Sequence, residues 1–71
     1  MAISNIAKAK LAALEEVGED ELFEEIAGGL TVRNLMKKYD VGYKLWGRWL
    51  DAKAGRRDRY SAAMLEAGHF Y

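Results

Sequence analysis

The sequence contains no cysteine, no proline and one histidine, His69. Without cysteine there is no disulfide and no thiolate metal site. With one histidine, a multi-histidine zinc site is excluded too. No apolar run exceeds a few residues, far short of the roughly 20 that a membrane-spanning helix needs. Lys8 and Lys10 interrupt the N-terminal stretch, so no signal-peptide pattern is present and the cytoplasm is the expected compartment. Ser4 and Ser61 have no histidine near them in sequence, and there is neither a glycine-rich phosphate loop nor an acidic metal cluster. No catalysis, cofactor or metal is therefore expected.

Net charge is also lacking, but its zero conceals a division. Residues 1–29 carry Lys8 and Lys10 against Glu15, Glu16, Glu19, Asp20, Glu21, Glu24 and Glu25, a net −5. Residues 30–71 carry nine Lys/Arg against Asp40, Asp51, Asp58 and Glu66, a net +5. Such polarity suits a face for an anionic partner, and its plainest alternative is solvated charge on unrelated helices.

What is present is one small domain of 71 residues, 51% hydrophobic and 31% charged, a globular rather than a disordered balance. β-Branched residues are few, which with the missing proline predicts an all-α fold, a small bundle of four to five helices. The first piece, 3–17, has Ile3, Ile6, Ala7, Leu11, Leu14 and Val17 at spacings of three and four, with Gly18 as its stop. Asp20 is expected to cap the second, which holds Leu22, Phe23, Ile26 and Ala27 and ends at Gly28-Gly29. Thr31 stands as N-cap of the third, 32–39. A turn at 40–42 leads to the fourth, about 43–53, and Gly55 breaks it. The last, 56–71, carries Tyr60, Ala63, Met64, Ala67, Phe70 and Tyr71 as a stripe that reaches the final residue without a stop signal. A chain cut from a longer protein is the corresponding expectation.

Residues 31–51 have the apolar periodicity of a helix-turn-helix. Leu35 and Tyr39 are expected to face the helix that follows, Val41 to plug the elbow, and Trp46 and Trp49 to bury the inner face. Gly42, Tyr43, Lys44, Gly47, Arg48 and Asp51 are left pointing outward. That set suits a DNA major groove. Arg48 can fork onto guanine N7 and O6, Lys44 can reach guanine or phosphate, and Tyr43 can meet a phosphate or a thymine methyl. Gly47, unfavourable inside a helix by about 1 kcal/mol, permits close approach, either to a partner or to another helix of the chain. Thr31 and the free N–H groups after it form a phosphate clamp, with Arg33 and Lys37 one turn apart beside it. Arg56, Arg57 and Arg59 open a helix against its dipole and are expected as secondary phosphate contacts, or as partners of Asp58, Asp51 or Glu66.

The order Ile26…Gly29-x-Thr31-Val32-x-x-Leu35…Val41…Trp46-x-x-Trp49-Leu50…Tyr60-x-x-Ala63 resembles the N-terminal domain of bacteriophage small terminase subunits, over about residues 22–67. The sequence departs from that pattern with Trp46 for a Val or Ile, Gly42 for a Ser, and Arg56 where an aromatic is frequent. Against the usual helix-turn-helix pattern, Met36 replaces a small residue, which implies a wider gap between the two helices or a side chain turned aside. Asp40 stands where the turn usually has glycine. The resemblance implies recognition of the packaging site on viral double-stranded DNA, in the cytoplasm of the bacterial host. It also implies homo-oligomerisation through a region beyond Tyr71 and delivery of DNA to the large terminase subunit. The alternatives are a helix-turn-helix regulator or transposase domain, and a helical protein-interaction module. In the last, the acidic half binds a basic partner or the final stripe packs on a second copy.

Overall fold

Ser4 opens the first helix: its hydroxyl accepts the Ala7 N–H at 3.1 Å. The computed structural model describes residues 4–68, and the described residues form five helices and no strand. These are α1 Asn5–Val17, α2 Glu19–Ala27, α3 Val32–Tyr39, α4 Tyr43–Asp51 and α5 Arg56–Glu66. None of them is long and apolar enough to cross a membrane. The all-α bundle expected from the composition is thus what forms.

Helix boundaries follow local chemistry, with three corrections. The second helix starts at Glu19, not after Asp20, because Gly18 ends α1 and begins α2 in a single residue. Its φ of 91° lies in the region that favours glycine. Its N–H closes α1 on Leu14 O while its carbonyl accepts from the Leu22 N–H. The fourth helix stops at Asp51, two residues early. The fifth stops at Glu66, before Gly68 (φ 79°). The expected continuation through Phe70 and Tyr71, like His69, lies outside the described residues.

Thr31 caps α3 as anticipated, accepting the Asn34 N–H at 3.1 Å. At the other end, Val41 N–H reaches Met36 O and Asp40 N–H reaches Lys37 O, the paired bonds of a Schellman stop. Val41 is thereby turned inward and buried. Asp40 supplies the left-handed residue, at φ 54° and ψ 52°.

The core is Leu14, Leu22, Phe23, Ile26, Leu35, Met36, Val41, Trp46, Trp49, Leu50 and Ala63. Each large apolar side chain buried there stabilises by roughly 1.5–3 kcal/mol. Its centre is aromatic. Trp46 stacks on Trp49 with centroids 5.2 Å apart, Tyr60 of α5 meets Trp46 edge-on at 5.7 Å, and Phe23 of α2 lies 5.8 Å from Trp49. Trp46 joins α4 to Tyr60 of α5. The main packings are α2 on α5, α1 on α4 and α4 on α5. α3 approaches α1 more than it approaches α4. Met36 is enclosed in the core rather than turned aside. Tyr39 does not turn to α4; its hydroxyl donates to Glu25 of α2 at 2.8 Å.

An L-residue in the left-handed region is strained by about 1–2 kcal/mol, partly regained as backbone freedom when unfolded glycine replaces it. The exposed pair of Asp40 with Lys10, at 3.6 Å, adds little. Asp40→Gly should therefore stabilise the fold by about 0.5 kcal/mol, read as a higher urea midpoint with an unchanged slope.

Candidate nucleic-acid interface

The outer face of α4 is built by its register. With Trp46, Trp49 and Leu50 turned into the core, Tyr43, Lys44, Gly47, Arg48 and Asp51 share the opposite side, and with Ala52 they line one shallow depression. Tyr43 is 72% exposed, the largest aromatic surface offered by the described residues. Gly42, as N-cap, has no side chain to bond the first N–H groups of α4. The positive end of that helix is therefore uncapped beside Lys44. Arg33 and Lys37 occupy one side of α3, four residues apart and exposed, behind Thr31. These three lie outside the α4 depression.

Ion pairing sorts the cations. Lys10, Lys38, Lys53, Arg56, Arg57 and Arg59 each contact a carboxylate. Arg33, Lys37, Lys44 and Arg48 contact none among the described residues, and neither does Lys8 of α1. The acidic and basic halves of the chain thus largely neutralise one another across the bundle. The unneutralised positive charge is concentrated on α3 and α4, where the sequence placed its candidates. Lys37 and Lys38 part company here: Lys37 meets no carboxylate among the described residues, while Lys38 pairs with Glu25.

The three arginines of α5 have other occupations, and Arg56 is a correction. It is not a surface phosphate contact: it is 2% exposed. Its Nη2 lies 2.7 Å from Glu15 and 3.2 Å from Glu19, Nη1 donates to Trp49 O at 2.8 Å, and the guanidinium lies 4.1 Å over the Trp49 ring. Arg59 donates to Glu19 at 2.9 Å and Asp20 at 2.8 Å. Arg57 donates to Asp51 at 2.8 Å; of the three acidic partners named from the sequence, Asp51 alone is paired among the described residues. Glu15, Glu19 and Asp20 are distant in sequence, and only the packing of α5 on α2, from which Arg56 also reaches α1, brings them close. The one available signal was three arginines at a helix start, where the dipole disfavours them unless carboxylates are near.

Among the described residues, no backbone of another helix comes within 4 Å of where a Gly47 Cβ would stand; only the end of the Arg57 side chain of α5 does. A Cβ there would have Arg57 Nη2 as its nearest neighbour, at 3.8 Å. Close helix packing within the fold is therefore not the reason for a glycine at this position.

No family model matches the sequence, and no curated protein and no solved structure matches it either.

Burial raises the Glu19 pKa, but hydrogen bonds and charge from Arg56 and Arg59 outweigh it and hold the carboxyl below its ordinary value. The Lys38 hydrogen bond does the same to Glu25, against burial and helped by Tyr39. Both folded-state values lie below the ordinary 4.5. Their contribution to stability is therefore complete above that pH and is lost as pH falls through the lowered values. Unfolding midpoints should drop on acidification below pH 4.5, and Glu19→Gln should flatten that dependence. Arg56→Ala takes away the buried guanidinium that Glu15, Glu19, Trp49 O and the Trp49 ring share, although Glu19 keeps Arg59, and it should destabilise by about 3 kcal/mol in urea unfolding.

Proposed function

We propose that the face formed by α3 and α4 binds double-stranded DNA, with α4 in the major groove. The observation that carries this reading is the distribution of unpaired cations. Arg33, Lys37, Lys44 and Arg48 are left without carboxylates in a chain that pairs most of its others. Two short helices joined by a three-residue turn present them, the second with an uncapped start and a flat centre at Gly47. In this reading Arg48 and Lys44 meet base edges or phosphates, and Tyr43 packs at the groove edge. Thr31, Arg33 and Lys37 hold the flanking backbone. Neither catalysis nor a cofactor enters it.

The narrower reading is the DNA-recognition domain of a bacteriophage small terminase subunit, acting in the host cytoplasm. It is supported by the residue pattern between Ile26 and Ala63. On that reading the packaging site is the target, a homo-oligomer forms through residues beyond 71, and the large subunit receives the DNA.

One observation favours a second reading, a protein-interaction module. The groove between α2 and α5 has an apolar floor of Phe23, Ala27, Ala62 and Ala63 beneath Glu24 and Glu66, which are unpaired among the described residues. A basic partner suits it.

An amide chemical-shift titration with duplex DNA separates the two. Shifts at Thr31, Arg33, Tyr43, Lys44 and Arg48 are expected, and shifts confined to the α2–α5 groove or absent altogether would refute the DNA reading. Affinity should fall steeply with salt, because each neutralised phosphate releases about one counterion. Arg48→Ala should weaken binding to a preferred sequence by about 1–3 kcal/mol. Unchanged affinity at low salt would remove Arg48 from the interface.

A further inference from the structure

Asp51 is doubly misplaced. It is the last residue of α4, where the helix dipole disfavours a carboxylate. It also lines the depression shared with Lys44 and Arg48, where it repels any polyanion. What it gains is Arg57. The Arg57 Nε donates to Asp51 Oδ1 at 2.8 Å, and Nη2 reaches toward the Gly47 carbonyl at 3.5 Å. The two side chains are 68% and 53% exposed. An exposed pair of this kind adds little to stability, so its main effect is geometric. It carries a cation from α5 across to the outer face of α4 and lays it beside Gly47. There a Cβ would stand 3.8 Å from Nη2, in ordinary contact with it. Nη1 has no partner within the described residues and is left to donate outward.

We propose that Asp51 is a positioning residue, holding Arg57 over Gly47 as a third phosphate-binding cation beside Lys44 and Arg48. The proposal rests on the DNA reading above and specifies its ligand group: a backbone phosphodiester contacted by Arg57, with Asp51 acting only through Arg57.

The sign of the effect makes this testable. If Asp51 acts only as a charge, deleting it tightens binding to DNA. If it positions Arg57, deleting it weakens binding. The measurement is fluorescence anisotropy of the full chain with a short mixed-sequence duplex over a range of salt. Asp51→Ala is expected to bind about fivefold more weakly, and Asp51→Glu to recover most of the loss. Arg57→Gln should weaken binding similarly and lower the log–log salt slope by about one. The double variant should be no weaker than Arg57→Gln alone. The Arg57 Nε–H resonance should move in Asp51→Ala, while the circular dichroism spectrum stays that of the wild type. Asp51→Ala binding as tightly as wild type, or tighter, overturns the proposal. A wild-type chain that does not bind the duplex overturns the DNA reading and this inference with it, so the wild-type measurement tells the two failures apart.

Discussion

The Arg56 guanidinium is the contact on which the rest of the structure depends. Arg56 starts α5, and its side chain reaches Glu15 at the end of α1, Glu19 at the start of α2, and the carbonyl and ring of Trp49 in α4. Four of the five helices therefore meet at one planar cation. A planar fork suits this place better than a lysine ammonium, since it stacks on an indole while donating in its own plane to separate acceptors. Glu19 is the hub on the other side, shared by Arg56, Arg59 and Lys53. Its position in the first turn of α2 adds a favourable dipole interaction to that pairing. Around this polar knot the aromatic cluster of Phe23, Trp46, Trp49 and Tyr60 closes the hydrophobic interior.

That knot also determines where charge is left over. Glu15, Glu19, Asp20 and Glu25 take up cations from α3, from α5 and from Lys53 between α4 and α5, so most of the acidic half is neutralised internally. The cations of the outer α3 and α4 faces have no such neighbours. A net charge of zero thus coexists with a locally positive surface. The candidate interface is a remainder of the folding electrostatics. Asp51 is the exception on that face, and it brings Arg57 with it.

Much of the candidate surface was legible before folding. Tyr43, Lys44, Gly47 and Arg48 could be assigned to one side of a helix because Trp46, Trp49 and Leu50 had to take the other. Thr31 could be placed as a cap from its position before an amphipathic stretch, and the turn at 40–42 from its length and from Val41. The part that Arg56 and Arg59 play was not legible. Their partners lie roughly forty residues away, or in Arg56's case include a backbone carbonyl and a ring face, and nothing in local spacing encodes such contacts.

The sequence by itself determined the helical class, the five segments, the inward tryptophans and the outward set on α4. These follow from side-chain periodicity, capping and glycine placement, which act over a few residues. Only the tertiary structure decided which cations are free. Arg33, Lys37, Lys44 and Arg48 differ from Arg56, Arg57 and Arg59 not in chemistry but in neighbours, and neighbours are assigned by how α5 packs on α2 and α4. Charge on a chain is a local property. Unneutralised charge on a surface is a property of the fold, because pairing depends on distance in space.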